Sequence, residues 1–270
     1  MQSPGRSASW LIGVALLTLI RVDATPASAR QTGTAGAVPV LVELFTAEGC
    51  SSCPPADVLL EKMIDAQPAT GAQIVALGEH VDYWNQSGWK DRFSSATFTK
   101  RQQLYAAHAG SDDAYTPQMV VDGEAAFVGT DIAALRRAIE HAMAIPHGTV
   151  RLTLDPSQRE KGTIAVSIEV ADLPALGRDD PADIIVAVTE DGLRTEVKRG
   201  ENHGRTLTHA AVVREIQTVA GVTAAGRVAR ATVPIAADWR REHLKIIGFV
   251  QHRRSRRVIA TAVVPLESER

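Results

Sequence analysis

Both cysteines of the 270-residue chain lie in one short stretch, Cys50-Ser-Ser-Cys53, and two prolines follow at once. A disulfide across so short a loop stabilises a fold by about 1.9 kcal/mol, against roughly 4.7 kcal/mol for a loop of 100 residues. A pair that only braced the fold would be expected to join distant segments. The spacing therefore favours a reversible redox couple over a structural brace.

Pro54 and Pro55 indicate where a helix begins. Proline has no amide donor and disfavours helix in the residue before it, so both residues fit only the first helical turn. The two sulfurs would then lie at the helix N-terminus, where the partial positive charge lowers the pKa of a thiol. Cys50, on the loop side, is predicted to be the accessible attacking thiolate, and Cys53 the resolving one.

A CxxC pair also occurs in zinc sites, but a thiolate zinc site usually needs a second such pair. The chain has no third cysteine. A copper site stays open as an alternative, with Cys50 and Cys53 joined by His80 or by Met119 as further ligands. His80, near Asp82, could instead transfer protons to Cys50, orient a loop, or be a hydrogen-bonded residue of the fold.

The elements around the pair alternate between strand and helix. Val38 to Thr46 is an almost continuous apolar run, typical of a buried parallel strand. Ala56 to Ala66 then shows helical periodicity. The elements that follow are a strand, a helix, a hairpin and a capped helix: Gln73 to Leu77, Ser94 to Ala109, Thr116 to Val121 with Ala125 to Val128, and Asp131 to Ala144. The order predicts an α/β domain over residues 38–146.

Beyond Gly148 the pattern changes to short strands separated by polar turns. The seven runs are Thr149 to Leu154, Thr163 to Val170, Asp183 to Val188, Ala211 to Ile216, Arg227 to Ile235, Leu244 to Val250 and Arg257 to Val264. Such a pattern predicts a smaller all-β, sandwich-like domain over residues 149–266. Turn chemistry accounts for the polar loop Arg199 to Gly204, and the basic run Arg253 to Arg257 is interpreted as a solvated hairpin tip.

The N-terminal region has the pattern of a secretory signal peptide over residues 1–29, with an apolar run from Trp10 to Ile20. We expect cleavage after Ala29, or after Ala24, and a flexible segment over 30–37. The apolar run is shorter than the roughly 20 residues of a spanning helix, and an uncleaved signal anchor is the alternative. The protein is therefore expected in a periplasm or outside the cell, where disulfides persist.

The net charge of the chain and its aromatic residues limit the kinds of binding partner that we expect. The formal net charge of −2 and pI near 6.5 give no strong field to attract nucleic acid or a membrane surface. Protein thiols or a redox partner protein are the predicted partners, with no cofactor beyond the disulfide. Tyr83, Trp84 and Trp89 are predicted to wall a groove for unfolded polypeptide. Packing of these rings onto the domain core is the alternative.

The chain resembles the thioredoxin superfamily from Val38 to Ala144. The resemblance lies in the strand before GCSSCPP, in Thr116-Pro117, in the VDGE turn and in the Val128-Gly129 step. More narrowly, it resembles secreted proteins of domain-of-unknown-function family 1223 through VELFTAEGCSSCPPAD, HVDYWNQSGWKDRF, YTPQMVVDG and RGENHGRTLTHAAVVRE. The likeness implies an α/β thioredoxin-like domain followed by a smaller all-β sandwich-like domain.

The superfamily resemblance also implies site roles. Pro117 would be cis and lie against the redox pair, while Thr116 would tune reactivity and pair with substrate backbone. The acidic residue usual six positions before the first cysteine is replaced by Leu44, and Glu43 lies one step further away. Glu43 could be the buried proton relay, with its pKa raised by desolvation, or could face solvent or the second domain. The Ser51-Ser52 dipeptide leaves the redox direction open.

The sequence thus predicts an exported thiol-disulfide oxidoreductase. In this hypothesis Cys50 attacks, a mixed disulfide forms, and Cys53 resolves it. One alternative is a copper-binding, chaperone-like protein that uses the same cysteines. The other is a redox-inert thioredoxin-fold binding module, in which the disulfide fixes a loop and the β domain recognises a partner.

Overall fold

The computed structural model describes residues 1–2, 36–67, 71–111, 113–155, 162–223 and 226–267. The predicted signal peptide beyond its first two residues, its cleavage sites and most of the segment 30–37 lie outside these ranges. Over the described ranges, no helix is both long and apolar enough to cross a membrane.

The described residues form three α-helices and thirteen strands. The helices are α1 Pro54–Ala66, α2 Ala96–His108 and α3 Ile132–Ala144. The strands are β1 Val38–Thr46, β2 Ala72–His80, β3 Gln118–Val121, β4 Ala125–Val128, β5 Thr149–Asp155, β6 Thr163–Ala171, β7 Ala182–Glu190, β8 Leu193–Glu196, β9 Thr206–His209, β10 Val212–Val222, β11 Arg227–Pro234, β12 Leu244–His252 and β13 Val258–Pro265. Single 3-10 turns lie at Tyr83–Gln86 and Arg241–His243. Every run predicted as helix or strand is confirmed as that type of element, whereas β8 and β9 were not predicted.

One mixed sheet of eight strands contains elements from both halves of the chain. Its order is β13-β12-β7-β10-β2-β1-β3-β4, with β1 and β2 parallel and β7 antiparallel to both its neighbours. The described part of the chain is mostly β, with 43% of its residues in strands and 21% in helices. The expected α/β thioredoxin-like domain followed by a smaller all-β sandwich-like domain is therefore wrong.

Both halves of the chain share one sheet because β10 pairs with β2 along its edge. Gly78 pairs with Val212, and its amide donates a 2.7 Å hydrogen bond to the carbonyl oxygen of Ala211. A Cβ at position 78 would lie only 3.0 Å from the carbonyl oxygen of Ala210. Because Gly78 has no side chain, the second half of the chain can satisfy backbone groups that an edge strand would leave unpaired.

Alternate residues of β1 pack on opposite faces of the sheet. Val42 and Leu44 are buried against Leu60 of α1 and Leu135 of α3. Leu41 is buried on the other face. Fully burying such a side chain stabilises the fold by about 1.5–3 kcal/mol. This packing fixes the end of β1 relative to the start of α1, the two elements that flank the cysteine pair.

A second core lies between a three-stranded sheet, of order β11-β6-β5, and part of the large sheet. Leu152 of β5 and Ile168 of β6 are buried against Ile184 of β7 and Ile246 of β12. Strands β8 and β9 belong to neither layer, because they form a separate two-stranded hairpin. That hairpin reaches the cysteine pair.

The basic run Arg253 to Arg257 is not a fully solvated hairpin tip, contrary to expectation. Arg256 and Arg257 are partly buried. The loop packs on the turn between β3 and β4, where a Cβ at Gly123 would lie 1.9 Å from the carbonyl oxygen of Arg256. Gly123 also has φ +72°, so both its backbone conformation and the close approach require glycine.

Candidate functional site

Cys50 and Cys53 form a disulfide at the start of α1. Cys53 occupies the N-cap position, and its carbonyl oxygen accepts hydrogen bonds from the amides of Ala56 at 2.9 Å and Asp57 at 3.2 Å. The Sγ atom of Cys50 lies 3.3 Å from the hydroxyl oxygen of Ser52. The predicted helix start is confirmed, and it places the pair at the positive end of the helix dipole.

Both cysteines are 0% exposed, so the predicted accessibility of Cys50 is wrong for this state of the protein. The serines between them, Ser51 and Ser52, are exposed. The sulfurs lie in a cluster with Phe45, Val81, Tyr105 and other apolar residues. The turn itself thus reaches the surface, while its sulfur atoms are covered.

The tip of the β8–β9 hairpin, residues 197–205, lies against the loop that carries the cysteines, residues 47–53. We call these two segments the hairpin tip and the cysteine loop. Asn202 is 0% exposed, and its side-chain amide donates 2.9 Å hydrogen bonds to the carbonyl oxygens of both Glu48 and Cys50. The Oδ1 atom of Asn202 accepts from Arg205 at 2.9 Å. The side-chain nitrogen of Asn202 therefore joins the hairpin tip to the cysteine loop, and Arg205 of the hairpin tip holds its side-chain oxygen.

A second residue of the hairpin tip binds the cysteine loop from the solvent side. The carboxylate of Glu201 accepts a 3.1 Å hydrogen bond from the amide of Ser51, and hydrogen bonding from the side chain and the amide of Ser51 lowers the pKa of Glu201. These contacts go beyond the turn chemistry that was expected to account for the loop Arg199 to Gly204. This loop lies within the motif RGENHGRTLTHAAVVRE, and that motif was the sequence signal that Asn202 and Glu201 belong to the candidate site.

Trp89 supports the hairpin tip. A Cβ at Gly200, where φ is +76°, would lie 3.1 Å from the Cβ atom of Trp89 and from the carbonyl oxygen of Ser87. The indole nitrogen of Trp89 donates a 2.7 Å hydrogen bond to the carboxylate of Glu48. The ring therefore lies between the loop before Cys50 and the hairpin tip.

Tyr83 and Trp84 are half-buried and pack against the cluster that contains the two cysteines. The indole nitrogen of Trp84 donates a 2.7 Å hydrogen bond to the hydroxyl of Thr116. The hydroxyl of Tyr83 donates to Gln102 at 3.2 Å, and partial burial raises the pKa of Tyr83. The structure thus brings these rings to the cysteine pair, while their role in substrate binding stays a prediction.

The Thr116-Pro117 bond is cis, as predicted. A Cβ at Gly129 would lie 3.1 Å from both the Cβ atom of Pro117 and that of Ala56. Pro117 therefore lies beside the first turn of α1. The amide of Gly129 donates a 3.0 Å hydrogen bond to the carbonyl oxygen of Pro117, which fixes the start of β3 at this place.

Glu43 is fully buried, but its expected raised pKa is wrong. Burial opposes its ionisation, yet the guanidinium of Arg101, at 2.6 Å, lowers the pKa below the usual value. The hydroxyl of Tyr105 also donates to this carboxylate. In the neighbouring Glu79, burial raises the pKa well above the usual range. Arg101 thus favours the ionised form of Glu43, while burial favours the neutral form of Glu79.

Asp57 has the property that was expected of Glu43. It lies on α1 one turn after Cys53, is 7% exposed, and burial raises its pKa to about 6 although His209 and His80 oppose the shift. No sequence pattern indicated this role, because an aspartate in the first turn of a helix is explained by the helix dipole. Such a carboxyl can exchange a proton near neutral pH.

His80 belongs to a buried ionisable cluster, which we define as Glu48, Asp57, His80, Asp91 and His209. The Nδ1 atom of His80 lies 2.6 Å from the carboxylate of Asp91. Burial opposes protonation of His80, but Asp91 raises its pKa, and His80 in turn holds the pKa of Asp91 at about 2 against the opposing effect of burial. His80 is thus a hydrogen-bonded histidine oriented by Asp91.

The cluster lies next to the cysteine loop. The amide of Glu48 donates a 2.9 Å hydrogen bond to Asp91, and the Oε1 atom of Glu48 lies 3.3 Å from the Nε2 atom of His209. The rings of His80 and His209 meet edge to face, with centroids 4.8 Å apart. Asp82 lies outside the cluster, where it accepts a 2.6 Å hydrogen bond from the hydroxyl of Thr99.

The alternative copper ligands are not assembled in this arrangement. Among the described residues, no group of three or more His, Cys, Asp or Glu side chains is placed to hold a metal ion. Both thiols are in the disulfide, and Met119 is buried in the apolar core beside α1 and α3. The copper alternative therefore gains no support from the geometry.

Comparison with known proteins places this fold and site in a family. Residues 41–251 match the family described as a protein of unknown function, DUF1223. Because the match covers most of the chain, the chain belongs to this family. No curated protein matches the chain.

Two solved structures share the fold. Protein AGR_C_4864 from Agrobacterium tumefaciens is 24% identical, with a TM-score of 0.66 over 87% of this chain and 97% of that one. HBP35 of Porphyromonas gingivalis is 14% identical, with a TM-score of 0.57 over 87% of this chain and 79% of that one. At these identities the likeness concerns the fold alone.

Proposed function

We propose that the protein is a thiol-disulfide oxidoreductase whose redox couple is Cys50 and Cys53. The proposal is carried by one observation, a disulfide between residues three apart at the N-terminus of α1. At that position the helix dipole stabilises a thiolate leaving group. The covered sulfur atoms mean that the reaction must include an opening step.

The reaction is a two-step exchange. A thiolate of the partner attacks the Sγ atom of Cys50, the bond between the two sulfurs breaks, and Cys53 leaves as a thiolate. A second partner thiolate then attacks the partner sulfur of the mixed disulfide and releases Cys50. The partner is oxidised to a disulfide, and the couple gains two electrons and two protons. The reverse sequence reduces a partner disulfide, and the direction depends on the relative reduction potentials.

Asp57 is the candidate group for proton transfer to Cys53. It follows Cys53 by one turn of α1 and, with a pKa of about 6, changes its protonation state near neutral pH. His80 and His209 face the same carboxyl and favour its ionised form. Asp57 can therefore hold the proton that the Cys53 thiolate takes up on full reduction.

Opening of the hairpin tip is the proposed route to the disulfide. The tip belongs to a hairpin outside the main sheets, and it is held to the cysteine loop by hydrogen bonds from Asn202 and to Glu201. Loss of these few bonds exposes the loop without separating a sheet. Partner proteins with free thiols or accessible disulfides are the proposed substrates, and Tyr83 and Trp84 the proposed contact surface.

The proposed location is the periplasm or the exterior of the cell. The support is the signal-like N-terminal sequence together with a disulfide, which persists under oxidising conditions. Labelling of cell fractions with an antibody against the folded protein tests this location. Protein confined to the cytosolic fraction, with its full N-terminal segment retained, would contradict it.

Single-cysteine variants test the oxidoreductase directly. Cys53→Ser leaves Cys50 to form a mixed disulfide that cannot be resolved, whereas Cys50→Ser is its matched control. With oxidised glutathione at neutral pH, we expect mass spectrometry to show an adduct on Cys53→Ser that forms faster than any adduct on Cys50→Ser. A Cys50 that forms no adduct, in a variant with native circular dichroism, would remove the proposed role.

A redox-inert binding module is the second candidate, and the complete burial of both sulfurs favours it. In this hypothesis the disulfide only fixes the loop that Asn202 and Glu201 contact. The wild-type disulfide would then resist reduction by dithiothreitol until the protein unfolds. Reduction in the native state, followed by alkylation and mass analysis, separates the two candidates.

A further inference from the structure

Arg256 lies in a conformation that needs an explanation. It has φ +63°, in the left-handed region that residues with a side chain rarely adopt. This conformation turns the side chain inward, where its Nη2 atom donates a 2.9 Å hydrogen bond to Gln251 and its guanidinium lies 5.5 Å from the ring centre of Tyr105. The fold thus holds a cationic side chain against its core.

A second arginine already occupies that part of the core. Arg101 donates to Glu43 at 2.6 Å, to Tyr105 at 2.9 Å, and to the same Oε1 atom of Gln251 at 2.9 Å. Arg101 is neutralised by the Glu43 carboxylate. Arg256 has no carboxylate within ion-pair distance in the described ranges, and its buried Nε atom has no hydrogen-bond partner. A buried polar atom without a hydrogen-bond partner is costly.

Arg256 and Arg101 border a cleft of about 240 Å³ between α2, β7, β10 and the loop after β12. Lys100 lines the same cleft, is exposed, and pairs with no acceptor among the residues the structure describes. Asp183 also lines it, but Arg253 neutralises this carboxylate through two hydrogen bonds of 2.6 and 2.8 Å. The cleft therefore has an excess of positive charge.

We propose that this cleft binds a small oxyanion, the phosphate or carboxylate group of a small molecule, through Arg256 and Lys100. A guanidinium matches both groups through paired hydrogen bonds, and a lysine adds a point charge. Thr97, Gln217 and Thr218 line the cleft and offer further donors. The volume is smaller than the roughly 300–1,000 Å³ of sites for drug-sized ligands, so a small ligand fits. This site is independent of the cysteine pair.

Calorimetric titration with inorganic phosphate and, separately, with succinate tests the proposal, with sodium chloride at equal ionic strength as the blank. We expect saturable 1:1 binding of at least one anion. Tighter binding of phosphate indicates a phosphorylated ligand, and tighter binding of succinate indicates a carboxylate. Lys100→Gln and Arg256→Asn should each weaken binding about tenfold or more, which corresponds to about 1.4 kcal/mol.

Arg254→Gln is the matched control, because Arg254 is exposed on the same loop, lies outside the cleft and loses the same charge. Its affinity should stay within about twofold of wild type. Asparagine tolerates the left-handed backbone, so Arg256→Asn is expected to fold. If it does not, the exposed Lys100→Gln decides alone. Binding of neither anion, or equal losses in Lys100→Gln and Arg254→Gln, would overturn the proposal.

Discussion

The side-chain amide of Asn202 donates a 2.9 Å hydrogen bond to the carbonyl oxygen of Cys50, 152 positions earlier in the chain. The same amide also binds the carbonyl oxygen of Glu48. One buried side chain therefore holds the loop that carries the first cysteine against the hairpin tip. In the proposed function, access to the disulfide would therefore depend on a residue in the other half of the sequence.

Asn202→Ala should make the disulfide react faster with small thiols. The substitution leaves two buried carbonyl groups without their donor, which costs about 1–3 kcal/mol. If opening of the hairpin tip limits access, the same free energy raises the reduction rate about 5- to 150-fold. The rate constant for reduction by dithiothreitol, measured by timed alkylation and mass spectrometry, checks this.

Lys198→Ala is the control for this prediction. Lys198 is exposed on the same hairpin tip and pairs with Glu196, not with the cysteine loop. Its reduction rate should match that of the wild type. A rate for Asn202→Ala equal to the Lys198→Ala rate, in a folded protein, would mean that the hairpin tip does not control access.

Asp57→Asn should change how stability depends on pH. The Asp57 carboxyl has a pKa of about 6 in the folded protein against an ordinary value of 3.8, so the folded state binds its proton more tightly. That stabilisation is fully present below about pH 4 and is lost as the pH rises through 6. Relative to the variant, the wild type should lose up to about 3 kcal/mol between pH 4 and pH 8.

Urea unfolding of both proteins at several pH values measures this difference. The groups that face Asp57, namely His80, His209, Asp91 and Thr46, are present in both proteins. Their titration is therefore largely common to the two curves. A difference in unfolding free energy that stays constant with pH, or that favours the wild type more at high pH, would show that Asp57 is not a raised-pKa carboxyl.

Glu43 and Glu79 should substitute for each other as partners of Arg101. Glu79 lies 3.3 Å from the Nε atom of Arg101 and has a raised pKa from burial. When Glu43→Gln removes the charge, Glu79 can ionise in its place. We expect the single variant to lose about 1–2 kcal/mol, and Glu43→Gln with Glu79→Gln to lose about 3–5 kcal/mol, because Arg101 is then unpaired.

A double-mutant cycle based on urea unfolding checks the exchange of roles. The control is Glu79→Gln alone, which removes a neutral carboxylic acid and should cost less than Glu43→Gln. Additive losses, with no extra cost in the double variant, would contradict the assignment of Glu43 as the ionised member. The result bears on the core around Arg101 and is independent of the redox proposal.

Local elements could be predicted from the sequence because their signals are local. The apolar run of β1 gave its bounds, Val38–Thr46, and Asp131 accepts the predicted capping hydrogen bond from the amide of Ala134. Pro54 and Pro55 located the start of α1. In each case periodicity, a cap or a backbone restriction acts over a few residues.

The arrangement of the sheets could not be predicted in the same way. The strands of the second half show the alternation of a separate β layer, and nothing local indicates that β10 would pair with β2 at Gly78. The same reason explains the error about Cys50. Its side chain is buried among Val81, Tyr105 and other residues distant in sequence, and such contacts leave no periodicity to detect.

Some features of the candidate site could be predicted from the sequence and others could not. The cis Thr116-Pro117 bond was expected from a resemblance, and the structure has it. The pKa of Glu43 was wrongly predicted, because the partner that lowers it, Arg101, comes from α2. Asp57 was missed since only the surrounding burial distinguishes it from an ordinary helix-start aspartate.

The proposed function requires Cys50 and Cys53 to exchange electrons with thiols while the protein is folded. Equilibration of the native protein in glutathione buffers of graded ratio, followed by acid quenching, alkylation and mass analysis, measures this most directly. We expect a reversible two-electron transition, reached equally from the oxidised and reduced sides, with native circular dichroism throughout. A disulfide that stays intact across all buffers, or that opens only when the protein unfolds, would contradict it.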